Sequence, residues 1–136
     1  MGLTILDAGV IIGVLDAEDV HHQGSRAALA AALERGDALA VPASAYAECL
    51  VGPSRRGLEA VKAVEAFLSD LPADVEPITR QVASRAAALR ARHGRRLRLP
   101  DALVVATAMR LRADRIVTTD ARWPPVGVAV DRVRRR

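Results

Sequence analysis

The sequence predicts an α/β fold, a three-layer α/β/α sandwich with helices on both faces of a mostly parallel central sheet. Three observations point there. Short apolar runs alternate with longer segments of helical periodicity, the pattern of repeated βαβ units. The composition, 51% hydrophobic and 26% charged, is that of a chain that buries a core. The length of 136 residues suits one domain spanning residues 1–136, with no repeat, low-complexity tract or long linker to divide it.

Taken in order, Leu3–Leu6 is short and apolar and reads as a strand entering the core, followed by a short helix over Ala8–Leu15. A second helix is expected over residues 21–35, ended by Gly36, and then a strand over 38–41. Residues 44–51 and 57–69 read as two helices separated by a break at Gly52 and Pro53. Residues 75–78 form the next expected strand. Thr79 is placed to cap an Ala-rich helix that reaches about His93 and stops at Gly94. Pro100 suits the first position of a helix running to about Arg112. Short strands are expected over 115–118 and 128–130.

Composition excludes several functions. Tyr46, Phe67 and Trp123 are the only aromatic residues, too few for a platform that stacks bases. Cys49 is the only cysteine, so neither an internal disulfide nor a cysteine-rich zinc site is expected, as in a reducing compartment. The sequence shows neither a signal-peptide pattern nor an apolar run of about 20 residues, so a cytoplasmic protein without a membrane span is expected. Charge is divided unevenly: residues 1–68 carry 5 basic and 9 acidic side chains, residues 69–136 carry 15 and 7. All the basic residues but Lys62 are arginines, whose planar fork suits phosphate. A basic half fits a polyanion partner; arginine-rich solvated faces give the same composition.

Four acids fall near predicted strand ends or a helix start. Asp7 directly follows LTIL, Glu48 lies in the helix after ALAV, Asp101 opens PDALVVATAM, and Asp120 follows RIVTT. In open parallel sheets, ligands bind off the carboxyl ends of the strands. Each acid also has an ordinary structural role: Asp7 as a helix cap, Asp101 against a helix dipole, Asp120 in a turn, Glu48 facing solvent. Jointly they are more specific. Four carboxylates at one rim repel one another and need protons or a cation. Oxygen-only ligands select hard cations, Mg²⁺ or Mn²⁺. Such a metal activates water and neutralises charge on a phosphodiester. His21 and His22 lack metal-ligand spacing and read as helix-start or surface residues. His93 lies in an arginine run near a helix end, where it would serve the helix dipole or a phosphate.

At these residues the chain resembles the PIN-domain family. LTILDAGVIIGVLDAED resembles its first motif, an acid ending strand one with an apolar helix behind it. PASAYAECLVG resembles the second, a Ser opening a helix with a Glu one turn later. LRLPDALVVATAMRLRADRIVTTD resembles the third and fourth run together. Order and spacing match over nearly the whole chain, and the compact length is similar to that of VapC toxins from VapBC toxin–antitoxin pairs. The resemblance implies a Mg²⁺-dependent endoribonuclease using Asp7, Glu48, Asp101 and Asp120, with Thr118 orienting water or the last acid. It also implies a homodimer silenced by a cognate VapB-type antitoxin. One position departs: family members often carry Ser or Asn two residues after the first acid, where this chain has Gly9.

Residues 80–98 hold seven arginines and no acid. Arg90, Arg92, Arg95, Arg96 and Arg98 lead directly into Asp101, an arrangement suited to holding an RNA backbone beside the acids. Arg80, Arg85 and Arg92 cannot all share one helix face, so at most part of the tract does this. The apolar residues Leu50, Val51, Leu58, Val61, Val64, Phe67 and Leu68 serve either the core or a partner groove. Two other enzyme classes fit poorly. A haloacid-dehalogenase-type phosphatase needs a second Asp where Gly9 stands, and a receiver domain needs a Lys at a late strand end, whereas Lys62 lies in a predicted helix. A non-catalytic RNA-binding PIN-like module is the alternative from another class; it needs the arginines but not the acids.

Overall fold

The apolar run Leu3–Leu6 becomes β1, the central strand, with Thr4, Ile5 and Leu6 almost fully buried. Burial on both faces is what a parallel sheet covered by helices imposes. The computed structural model describes residues 1–135. After β1 come α1 (Ala8–Leu15), α2 (His22–Glu34), β2 (Ala38–Pro42), α3 (Ala43–Arg56), α4 (Leu58–Asp70), β3 (Ala73–Glu76), α5 (Arg80–His93), α6 (Leu99–Leu111), β4 (Arg115–Thr118) and β5 (Ala129–Arg132). A 3₁₀ turn, Gly94–Arg96, joins α5 to α6.

The strands form one sheet in the order β3-β2-β1-β4-β5, and every neighbouring pair is parallel. Ile5 stands opposite Ala40 on one side and Ile116 on the other. The chain builds outward from β1 through β2 to β3, then returns to place β4 on the other flank of β1. The strand order therefore reverses between β1 and β4, and an open α/β sheet leaves a crevice at the carboxyl ends of such a pair.

Helix α6 buries Ala102, Val104, Val105, Ala106, Thr107 and Ala108, so it is enclosed on nearly every side. The Thr107 hydroxyl is satisfied within the helix by the Leu103 carbonyl at 2.8 Å. Helix α5 packs against α6 with its start beside the end of α6, since Gln81, Val82 and Arg85 share a cleft with Ala106, Met109 and Arg110. Thr79 caps α5 by accepting the Val82 N–H at 3.1 Å, and Gly94 ends it at φ 60°, a left-handed conformation that glycine adopts without steric cost.

Strand β5 starts one residue later and ends two residues later than expected, and two other elements differ as well. No break forms at Gly52 and Pro53: α3 continues to Arg56 with Pro53 buried in its last turn, and the Gly57 N–H closes on the Pro53 carbonyl at 3.0 Å. There the proline forfeits a single helical bond, to the Cys49 carbonyl, and burial of its ring offsets the loss. Strand β3 begins and ends two residues earlier than expected, because pairing with β2 sets its register and Pro77 has no N–H to extend the ladder. Among the described residues no helix is long and apolar enough to cross a membrane.

Candidate functional site

Asp7 is the first residue beyond β1. Its backbone N–H still bonds to the Val117 carbonyl of β4 at 3.0 Å, which fixes the chain at the crevice. Its Oδ1 accepts the Ala8 N–H at 2.8 Å, so it does cap α1, and its Oδ2 accepts the Thr118 hydroxyl at 2.7 Å. The residue is only 9% exposed. Burial pushes its carboxyl above the ordinary range, against the two hydrogen bonds, and repulsion from Asp120 pushes the same way.

Thr118, fully buried at the end of β4, joins the two strand-end acids. Its hydroxyl donates to Asp7 and accepts the backbone N–H of Asp120 at 3.1 Å. Asp120 itself is gripped by Arg122: Oδ1 accepts from the Arg122 backbone N–H at 2.8 Å and from Nε at 3.2 Å, and Oδ2 from Nη2 at 3.3 Å. Burial works against ionisation at Asp120, but the hydrogen bonds and charge of Arg122 outweigh it and hold the carboxyl below its usual value.

Asp101 lies in the first turn of α6 with its side chain 15% exposed, and Arg98 Nε stands 3.9 Å from its Oδ2. Its pKa is pushed up to about 6 by burial first, then by repulsion from Asp7, Asp120 and Glu48, with Arg98 opposing. Glu48, on α3, is exposed, and only partial desolvation, then repulsion from Asp7, raises its carboxyl, again with Arg98 opposing. Asp7, Glu48 and Asp101 thus each feel others of the set, and Arg98 is the cation that acts on Glu48, Asp101 and Asp120 alike.

Asp101 and Asp120 line a cavity of about 260 Å³ with Arg95, Arg96, Arg98 and Arg122. Glu48 lines a different hollow, between α1 and α3, with Ile12, Leu15, Asp16, Cys49, Gly52, Pro53 and Arg56. Arg90 and Arg92 line neither. Arg122 was not legible as a site residue, because its part depends on a turn that brings it back onto Asp120. Ser44 is the second residue of α3, but its buried hydroxyl has no hydrogen-bond partner and Pro42 is the cap. His22 Nδ1 hydrogen-bonds the Gly13 carbonyl oxygen at 2.7 Å, which gives it a structural part. Cys49, buried beside the acids, has its thiol pushed up to about 12 by burial and by Asp7 and Glu48, which disfavours the reactive thiolate.

The space at Gly9 is taken. A Cβ built there would run into the Thr119 hydroxyl, so a larger residue at this position requires the Thr119 side chain to turn aside. Among the described residues no three acids stand close enough to form a ready-made metal cage. The donor chemistry still suits a hard cation: the set is carboxylate oxygen throughout, and the repulsion that adds to desolvation in raising Asp7, Glu48 and Asp101 is what a divalent ion would relieve.

A sequence profile described as PIN domain matches residues 4–128. No curated protein sequence matches the chain. Among solved structures, a VapBC2 complex from Rickettsia felis bound to a promoter DNA fragment is similar, with TM-score 0.76 and 14% identity over 97% of this chain and 99% of that one. FitAcB from Neisseria gonorrhoeae gives TM-score 0.70 and 22% identity over 93% and 95%. VapC20 of Mycobacterium tuberculosis, titled a sarcin–ricin-loop-cleaving toxin, gives 0.66 and 19% over 83% and 86%. At these identities the likeness is one of fold.

Proposed function

The chain belongs to the PIN-domain family, and from that premise we propose that it is a metal-dependent endoribonuclease acting as the toxin of a toxin–antitoxin pair. The observation that carries this reading is the gathering of Asp7 and Asp120 through Thr118 at the β1–β4 crevice, with Asp101, pushed up to about 6, and Asp120 in one arginine-lined cavity. Asp7 and Asp101 would hold Mg²⁺ or Mn²⁺, with Glu48 and Asp120 bordering it. When bound, the metal would supply a water nucleophile and neutralise charge on the scissile phosphate.

The chain's own residues do the rest. Thr118 fixes the Asp7 carboxylate and the Asp120 backbone together, so the two strand ends keep one spacing. Arg95, Arg96, Arg98 and Arg122 offer guanidinium groups to the RNA backbone around the acids. Arg98, near Asp101 without metal, tempers the acids' repulsion. The toxin reading is supported by the family and by similarity of fold to a toxin–antitoxin complex from Klebsiella pneumoniae. A cognate antitoxin segment and a second copy of the chain are the expected partners. The apolar hollow of about 330 Å³ that includes Ile12 and Leu15, beside Glu48, suits such a segment.

The test is cleavage of RNA by purified protein. Cleavage with Mg²⁺ or Mn²⁺ that stops in EDTA is expected. Full activity in EDTA, or restoration by Zn²⁺ alone, would overturn the carboxylate-metal reading, and RNA binding without any cleavage would favour the non-catalytic module.

A further inference from the structure

The arginine tract divides in space. Arg95, Arg96 and Arg98 face the acid cavity, whereas Arg80 and Arg85 lie at the other end of α5, where they meet the end of α6. There a second cleft of about 270 Å³ is lined by Gln81, Arg85, Met109, Arg110 and Arg112. It adjoins a shallow hollow that shares Gln81 and Arg85 and adds Arg80 and Ser84. All four arginines are exposed, and none of them forms an ion pair among the described residues, in contrast to Arg35, Arg98, Arg115 and Arg122. Glu76 borders a neighbouring hollow with Arg110 but makes no ion pair with it.

Two details distinguish this cleft from a merely solvated face. Arg85 is held against α6, its Nη1 3.6 Å from the Met109 sulfur. Arg112 is the only non-glycine residue with positive φ among the described residues, at φ 54° and ψ 45° as the C-cap of α6. Glycine or asparagine fills that conformation at least steric cost; the arginine there also sets a positive charge at the carboxyl end of α6, which the helix dipole favours.

One face of α5 runs from the cleft toward the acid cavity. Gln81, Arg85, Ala88 and Arg92 recur at helical spacing on one face of α5. Arg85 and Arg92 therefore lie about 10 Å apart along that face, and Arg92 leads on to Arg95 and Arg96. An elongated polyanion matches this path better than an isolated phosphate does.

We propose that the Arg85–Arg110–Arg112 cleft is a second binding site for phosphodiester backbone, and that it takes the flank of the RNA strand whose scissile phosphate lies at the acids. The proposal rests on the ribonuclease reading for its choice of strand.

The experiment measures RNA binding by fluorescence anisotropy in EDTA, where no cleavage complicates it, at several salt concentrations. Wild type is compared with Arg85→Ala/Arg110→Ala and with Arg85→Lys/Arg110→Lys. For an RNA of about 20 nucleotides, the Ala pair should weaken binding about tenfold and lower the salt slope by roughly one to two, while an RNA of about four nucleotides should bind as before. The Lys pair should bind the longer RNA close to wild type. Unchanged affinity and slope for the longer RNA would overturn the proposal, and so would an equal loss for the short one. Loss confined to duplex DNA would assign the cleft to DNA and overturn it as well. Absence of cleavage in Mg²⁺ counts against the ribonuclease reading alone, because the binding comparison is made without metal.

Discussion

Both ends of the sheet carry aspartates; Asp37 at the amino ends is held low, as Asp120 is by Arg122 at the carboxyl ends, whereas Asp7 and Asp101 at the carboxyl ends are raised. At the amino ends of the strands, Asp37 accepts the Thr4 hydroxyl at 2.9 Å and Arg35 Nε at 3.0 Å, with Arg115 Nε at 3.8 Å. The Thr4 hydrogen bond, followed by Arg35 and Arg115, outweighs burial and holds its carboxyl below the ordinary range. Asp114 beside it accepts the Leu3 N–H at 2.7 Å. At the carboxyl ends, Asp7, Asp101 and Glu48 are raised, and other acids of the set contribute to each rise. A carboxylate that stabilises a fold is surrounded by donors and cations. One kept among other carboxylates is maintained for something else, and a bound cation is the simplest occupant.

The largest effect on this contrast should come from Thr118, the buried link between the two strand-end acids. Thr118→Val removes the donor to Asp7 and the acceptor for the Asp120 N–H together, and should cost about 2–4 kcal/mol of stability. Cleavage should fall roughly ten- to a hundredfold, as for groups that orient metal ligands. Thr118→Ser should recover most of both. Denaturant unfolding and single-turnover cleavage check this, and a Val variant of wild-type stability would show that the link is incidental.

A smaller effect comes from exchanging one acid at each end, with opposite signs expected. Asp101 has a folded pKa of about 6 against an ordinary 3.8. The folded state binds that proton more tightly than the unfolded state, so stability falls as pH rises between these values and stays reduced above them. Asp101→Asn should therefore raise Tm at pH 7.5 in EDTA, by up to about 3 kcal/mol of stability. The advantage should vanish below about pH 4. Asp37 has a lowered pKa, so its contribution is present above the unfolded value and lost as pH falls through the folded one. Asp37→Asn should lower Tm at pH 7.5, and the difference should shrink in acid. Thermal melts at both pH values decide the matter. Two variants shifting in the same direction at pH 7.5 would break the distinction between the ends.

Much of this was legible in the sequence because it was written locally. Leu3–Leu6, Ala8–Leu15 and Arg115–Thr118 fall where apolar runs and their flanking residues put them. Asp7, Asp101 and Asp120 stand out because strand ends and helix starts can be read from short segments. What escaped depends on tertiary context. Pro53 looked like a helix breaker, but its burial in the last turn of α3 keeps the helix intact. The register of β3 was set by β2 and not by its own apolar residues. The apolar residues of α3 and α4 sort only on packing: Val64 and Leu68 are core, while Val51 and Leu58 stay exposed. Gly9 departs from the family pattern, and only the folded chain shows that the Thr119 side chain occupies the space a Cβ would take there. Arg122 has no motif of its own and acquires its part by folding back onto Asp120.

The most direct test of the central claim is single-turnover cleavage of RNA by Asp101→Asn in Mg²⁺ at saturating RNA. Removing this carboxylate weakens metal binding and water activation together, without taking away any arginine of the cavity. The account predicts cleavage reduced by orders of magnitude while RNA affinity stays close to wild type. Cleavage at the wild-type rate would contradict the four-acid site.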